Sequence, residues 1–183
     1  MTAVDRLPAQ GYELRPVSLE DAPALAAAYA RNRGHLAPWD PPRLPEFFTE
    51  DGQRDRLAVE LEAMAHGRQA AWAVHHGGQV VGRVALNNIV HGPFRSASLG
   101  YWVDAAHTGR GVATWAGAHA CAEALRLGLH RVEAGTLVHN TASQQVLRRL
   151  EFTRFGTAER YLFIAGAWRD HHLYQRILHD DPL

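Results

Sequence analysis

The chain has 183 residues, 46% hydrophobic and 21% charged, a composition that fits one globular unit with a single core. Its 19 basic residues, all arginine, balance 19 acidic ones, so no net field points to nucleic acid or an anionic membrane. The single cysteine, Cys121, excludes an intrachain disulfide and favours a reducing, cytoplasmic setting.

The N-terminal MTAVDRLPAQG lacks the apolar stretch of an export signal, and no segment approaches the roughly 20 apolar residues of a membrane span. Gly11–Val17 then alternates as an edge strand does. Ser18 is placed to cap a helix running to about Arg31, with Glu20 and Asp21 in the first turn, where the helix dipole favours acids. The following LAPWDPPRLPEFF (Leu36–Phe48) carries four prolines, which exclude regular structure and predict a long, stiff loop. Its Trp39, Phe47 and Phe48 suit a lid over a groove, or equally a loop pinned down by its own aromatic side chains.

A second helix is predicted over Asp51–His66, stopped by Gly67. Gln69–His76, a Gly77–Gly78 turn and Gln79–Val90 read as a hairpin. Arg95–Asp104 is a further strand, followed by a glycine-rich turn and a helix to about Leu127 with Gly128 as its stop. His130–Val138 reads as a strand and Asn140–Leu150 as a helix. A last strand pair begins at Phe152–Phe155 and runs through YLFIAGAWRDHHLYQRIL. With no repeat or linker, residues 1–183 are expected to form a single α/β (α+β) domain, its mixed, mostly antiparallel sheet of about seven strands flanked by about four helices.

Twelve histidines raise the question of a metal. His75–His76 and His171–His172 are adjacent pairs, which a strand sends to opposite faces. No Cys pair, HxxxH or HExxH spacing accompanies them, so no metal site is expected.

The turn HTGRGVAT (His107–Thr114) lies between the strand SLGYWVD and the Ala-rich helix that begins at Trp115. Gly109 and Gly111 let an anion approach backbone N–H groups at the positive end of a helix dipole. The P-loop pattern is absent, and the dinucleotide fingerprint fails because residue 114 is threonine. Alone, the motif fits an ordinary strand-to-helix turn as well as a phosphate cradle.

Taken with LGYWVD before it and HNTASQQVLRRLEF after it, the turn resembles the GCN5-related N-acetyltransferase (GNAT) superfamily. NNIVHGPFRSASLGYWVD, HNTASQQVLRRLEF and YLFIAGAWRDH are similar to its RimJ/RimL branch, the ribosomal-protein alanine N-acetyltransferases. The family turn reads Q/R-x-x-G-x-G/A; Gly111 and Ala113 match it, and Thr108 departs from it. The resemblance implies the twisted GNAT sheet, acetyl-CoA as co-substrate, no metal, and acetyl transfer to a primary amine by direct attack in a ternary complex. A protein N-terminal amine is the expected acceptor. A small-molecule amine, another donor such as succinyl-CoA, or a coenzyme A-binding regulatory module without catalysis remain alternatives. The oligomeric state stays open, and a homodimer is suggested by analogy alone.

The same resemblance implies roles for individual residues. The amides of Thr108, Gly109, Arg110, Gly111, Val112, Ala113 and Thr114 would hold the pyrophosphate. Tyr101, Trp102 and Val103, on a strand splayed from its neighbour, would bind pantetheine and the thioester oxygen. Asn140 would touch the pantetheine arm, besides being a good helix N-cap. Ser143, one turn further along, would hydrogen-bond the thioester sulfur, because Leu147 stands where many relatives have a tyrosine. Ser98 stands where many relatives have a glutamate, so the base is sought elsewhere: Glu159 first, then His91, Asn88 or Glu133. Arg43, Arg95 or Arg169 could serve a carboxylate on the donor. Glu151-Phe152 replaces the usual Gly-Phe, which predicts altered helix termination. Trp115 must pack over the turn, and Cys121 reads as a packed thiol.

Overall fold

The computed structural model describes residues 5–7 and 11–182. Most of the N-terminal segment read as carrying no export signal lies outside them. Eight strands form one sheet: β1 (Asp5–Leu7), β2 (Tyr12–Pro16), β3 (Ala70–His76), β4 (Gln79–Val90), β5 (Ser96–Val103), β6 (Arg131–Leu137), β7 (Thr153–Ile164) and β8 (Ala167–Ile177). Their order is β1-β2-β3-β4-β5-β6-β8-β7, and only β5 and β6 pair in parallel. The chain order explains this. A helix crossover after β5 returns the chain to run beside it in the same direction as β6.

Five helices cover the two faces: α1 (Ala22–Arg31), α2 (Arg33–Leu36), α3 (Glu50–Ala65), α4 (Val112–Arg126) and α5 (Thr141–Arg149). Leu25, Ala28 and Tyr29 of α1 and Leu57 of α3 pack with Val80 and Ala85 on one face. Val112, Ala116, Ala120 and Ala124 of α4 and Leu147 of α5 pack with Val84, Leu99 and Val132 on the other. Each face of the sheet therefore has its own apolar core, as a sheet covered on both sides requires.

The predicted elements fall in place with two differences. The segment after α1 is not wholly irregular: α2 follows at once, and Pro45–Phe48 forms a 3-10 turn with proline at its start, where the missing N–H costs nothing. Strand β1 was not predicted. The short strand pairs only with β2, at the sheet edge.

A third expectation is overturned. Helix α5 ends in an ordinary Schellman arrangement, with Phe152 N–H donating to Leu147 O at 3.0 Å and Glu151 N–H to Arg148 O at 3.0 Å. Glu151 takes the left-handed conformation that glycine usually fills, with φ 64°. The geometry is retained, and the strain falls on the backbone of Glu151.

Candidate active site

β5 and β6 are in register for only three pairs, Ser96↔Arg131 to Ser98↔Glu133. Beyond Ser98 the strands part, while β5 stays paired to β4 as far as Val103↔Gly82. Asp104 N–H donates to Val81 O at 2.8 Å, so alternation turns Trp102 and Gly100 toward β4. The main-chain groups of Tyr101 and Val103 consequently face the opening. Only part of the expected Tyr101–Trp102–Val103 trio thus presents its backbone. Trp102 also lines the groove, with its indole N–H donating to Tyr29 Oη at 2.9 Å.

The opening continues into a groove of about 750 Å³. Its floor is β5 and β6, one end is the turn before α4, and one wall is α5. The turn is built by two left-handed glycines, Gly109 at φ 74° and Gly111 at φ 79°. A Cβ at either would meet nothing within 4 Å, so both face open space. Helix α4 begins right after Gly111, with Trp115 N–H donating to Gly111 O at 2.9 Å. The N–H groups of the first turn have no carbonyl one turn earlier and collect the positive end of the dipole. Of the residues expected here, Thr108, Gly109, Gly111, Val112, Ala113 and Thr114 line the groove. Arg110 is exposed and is not among the lining residues. Thr108 spends its hydroxyl on Ala105 O at 3.0 Å, closing the turn ahead of the glycines.

Opposite the parted strands stands α5. Asn140 is its N-cap, accepting from Ser143 N–H at 3.0 Å, as its residue type predicts. Ser143 Oγ lies 2.9 Å from Tyr101 Oη, whose hydroxyl also reaches Ser143 O at 3.2 Å. This hydroxyl pair joins β5 to α5 across the groove. Burial pushes the Tyr101 phenol up to about 12, with the Ser143 hydrogen bond opposing the shift. Leu147, one turn further along α5, is buried and lines the groove.

The proline-rich segment runs along the other wall. Trp39 lines the groove and reaches across to His139, just before Asn140, with ring centroids 5.6 Å apart. Phe47 and Phe48 turn away into a smaller cavity of about 290 Å³. Among the described residues no three His, Cys, Asp or Glu side chains gather as a metal would need, and no helix is long and apolar enough to cross a membrane.

The acetyltransferase (GNAT) domain family matches residues 12–153. The chain belongs to the GNAT acetyltransferase family. It is 33% identical over 169 residues to the [ribosomal protein uS5]-alanine N-acetyltransferase of Escherichia coli (strain K12), covering 91% of this chain and 87% of that protein. The crystal structure of ribosomal-protein-S5-alanine acetyltransferase from Vibrio fischeri superposes with a TM-score of 0.93 at 32% identity, covering 99% of this chain and all of the other. RimJ from Mycobacterium smegmatis in complex with CoA-disulfide superposes at 0.88 with 34% identity, over 94% and 84% of the two chains. This GNAT protein is accordingly an N-acetyltransferase.

Glu159, His91, Asn88 and Glu133 are not among the residues that line the GNAT groove. Glu159 is exposed on β7, beside the irregularity between Ala158 and Leu162, and does not line the cavity. His91 and Asn88 are exposed at the end of β4, and Glu133 is paired with Arg131 at 2.5 Å. A side chain set aside in the sequence does line the groove. His171 on β8 is 3% exposed, lines the groove and stands opposite Leu137. Its Nδ1 lies 3.0 Å from Arg169 O, and since a carbonyl only accepts, Nδ1 carries the proton and leaves Nε2 as an acceptor. Adjacent histidines on a strand do face opposite ways, and that same alternation sends His171 inward. Of the three candidate arginines, Arg95 donates to Asp181 O and Arg169 to Ile164 O, whereas Arg43 lines the smaller cavity.

Proposed function

We propose that the protein acetylates the N-terminal α-amine of a protein, of the kind its ribosomal-protein-modifying relatives are named for, with acetyl-CoA as donor. Residues 1–183 would act as one domain, in a ternary complex. The observation that carries this reading is the unpaired stretch of β5 and β6, which runs from a glycine cradle to the Tyr101–Ser143 hydroxyl pair. The cradle fits the diphosphate of coenzyme A because Gly109 and Gly111 leave open exactly the space a Cβ would occupy.

Acetyl-CoA supplies an acyl group activated by a thiol leaving group, and the residues of the chain do the rest. Main-chain N–H groups from Gly109 to Thr114 hold the diphosphate. The Tyr101 and Val103 backbone holds the pantetheine arm and offers N–H donors to the carbonyl oxygen as charge develops. Asn140 fixes the start of α5, so Ser143 and Tyr101 meet at the sulfur. His171 accepts the proton of the attacking amine at Nε2. An α-amine has an ordinary pKa near 8, so its demand on a base is modest.

Release of free thiol from acetyl-CoA with Ala- and Ser-starting peptides, set against a panel of small amines, tests the reading. Turnover confined to small amines refutes the protein acceptor. Coenzyme A binding without any thiol release refutes catalysis.

A further inference from the structure

The smaller cavity opens off the groove where Leu36, Asp40 and Pro41 line both. Its charged walls are unequal. Arg33 and Arg43 line it against the single carboxylate of Asp40. Each guanidinium lies over a ring: Arg33 is 4.6 Å from the Phe48 centroid and Arg43 is 4.6 Å from that of Phe47. A guanidinium held over a ring keeps N–H donors at its edge with which to meet a planar anion.

Behind this wall the surplus persists. Arg56 lies 5.6 Å from the Tyr29 centroid and 5.7 Å from that of Phe47. Arg56 and Arg83 share the buried Glu60, and Arg56 Nη2 has no hydrogen-bond partner among the described residues. Four arginines thus stand against two carboxylates, with Arg33 and Arg43 exposed at the mouth of the cavity and Arg56, Arg83 and Glu60 sheltered behind it.

We propose that this cavity is a recognition subsite for a carboxylate side chain of the acceptor, so that the favoured substrate is an acidic N-terminal peptide. The inference rests on the peptide-amine reading above. The order of charges sets the direction of the peptide. Asp40, at the junction, suits the ammonium form of the arriving N-terminus, and Arg43 and Arg33 further in suit an acid on one of the next residues. Arg43 contacts Asp40 at 3.5 Å, which engages one nitrogen of the fork and leaves other donors for the ligand.

The test uses the full chain saturated with coenzyme A and two Ala-starting peptides, one with Asp-Glu and one with Asn-Gln at positions two and three. Calorimetry reads peptide binding, and thiol release from acetyl-CoA reads turnover. The acidic peptide is expected to bind roughly tenfold more tightly than the amide one, with the advantage shrinking as salt is added. Arg43→Glu is expected to abolish that preference and Arg43→Lys to keep part of it. Arg33→Gln weakens it from α2, independently of any change in the proline-rich segment. Equal binding of both peptides, or a preference untouched by Arg43→Glu, overturns the inference whether or not either peptide is acetylated. Preferential binding without acetylation leaves the inference standing and refutes the peptide-amine reading instead.

Discussion

Replacing Ser143 by alanine tests how the departing thiol is handled. The Tyr101 phenol, at about 12, lies roughly 3.5 units above an ordinary free thiol near 8.5. Handing its proton to a thiolate would be uphill by about 5 kcal/mol, at about 1.36 kcal/mol per unit. On the proposed mechanism the hydroxyl pair therefore stabilises developing charge on sulfur by hydrogen bonding, and Tyr101 keeps its proton through the step. One hydrogen bond to a charged group is worth about 1.5–3 kcal/mol, or roughly 10- to 150-fold in rate. Ser143→Ala should lower kcat by that factor while the affinity for coenzyme A, set at the glycine cradle, changes by less than about threefold. Tyr101→Phe removes the partner 2.9 Å away, so the double variant should lose less than the product of the two single losses. Thiol release under saturating acetyl-CoA gives kcat, and calorimetry gives coenzyme A affinity. Equal losses of affinity and kcat would refute the assignment, and so would multiplicative losses in the double variant.

Gly111→Ala places a Cβ at φ 79° and should cost about 1–2 kcal/mol of stability, with coenzyme A affinity reduced roughly tenfold; unchanged calorimetry would contradict the cradle. His171→Gln should slow turnover by at least about tenfold near neutral pH, the deficit narrowing above about pH 8 as the amine loses its proton unaided; a deficit flat with pH would assign His171 a packing role. Burial alone would raise the Asp104 carboxyl, but hydrogen bonds from Asn32, the Ala106 N–H and Arg31 outweigh it and hold it below its ordinary value. The stability it adds is therefore present above about pH 4 and lost as pH falls through the depressed value, so Asp104→Asn should cost about 1–3 kcal/mol at pH 7 and progressively less below pH 4, read by denaturant unfolding. Glu151→Gly relieves a φ of 64° and gives up an exposed ion pair to Arg176, for a net gain of about 0.5 kcal/mol and a Tm higher by about 1–2 °C.

Much of the fold was legible because its local signals agree. The Gly77–Gly78 hairpin has both glycines at positive φ, as a tight turn of this kind demands, and the predicted strands on either side are β3 and β4 to within a residue. Helix α3 is capped by Thr49, whose hydroxyl accepts from Gly52 N–H at 3.1 Å, and ends ahead of Gly67. Where prolines dominated, propensity misled. Proline opens a 3-10 turn as readily as it breaks a helix, and α2 is held by its setting between the Asn32 network and the groove. Asn32 is 2% exposed, donates to Asp104 at 2.8 Å and accepts from Ala105 N–H at 2.9 Å. None of those partners is near it in sequence.

The site divides along the same line. The cradle and the Asn140 cap are local, with each residue acting on its own turn, and the sequence places both. The proposed base and the proposed acceptor wall are assembled from distant segments, and spacing along the chain says nothing about them. His171 reaches the groove because β8 pairs with β6 in a register that sets it against Leu137, a fact fixed by the whole sheet. Glu159 lies within the irregularity between Ala158 and Leu162, without a register partner on β8, and is exposed. Asp104 shows how the two halves become one site. Its buried carboxylate accepts from Arg31 and Asn32 at the end of α1, and from Ala106 just ahead of the cradle. The segment that carries Trp39 and Asp40 and the turn that carries Gly109 and Gly111 therefore leave from opposite sides of a single anchored residue, so the acceptor wall and the diphosphate end are positioned together.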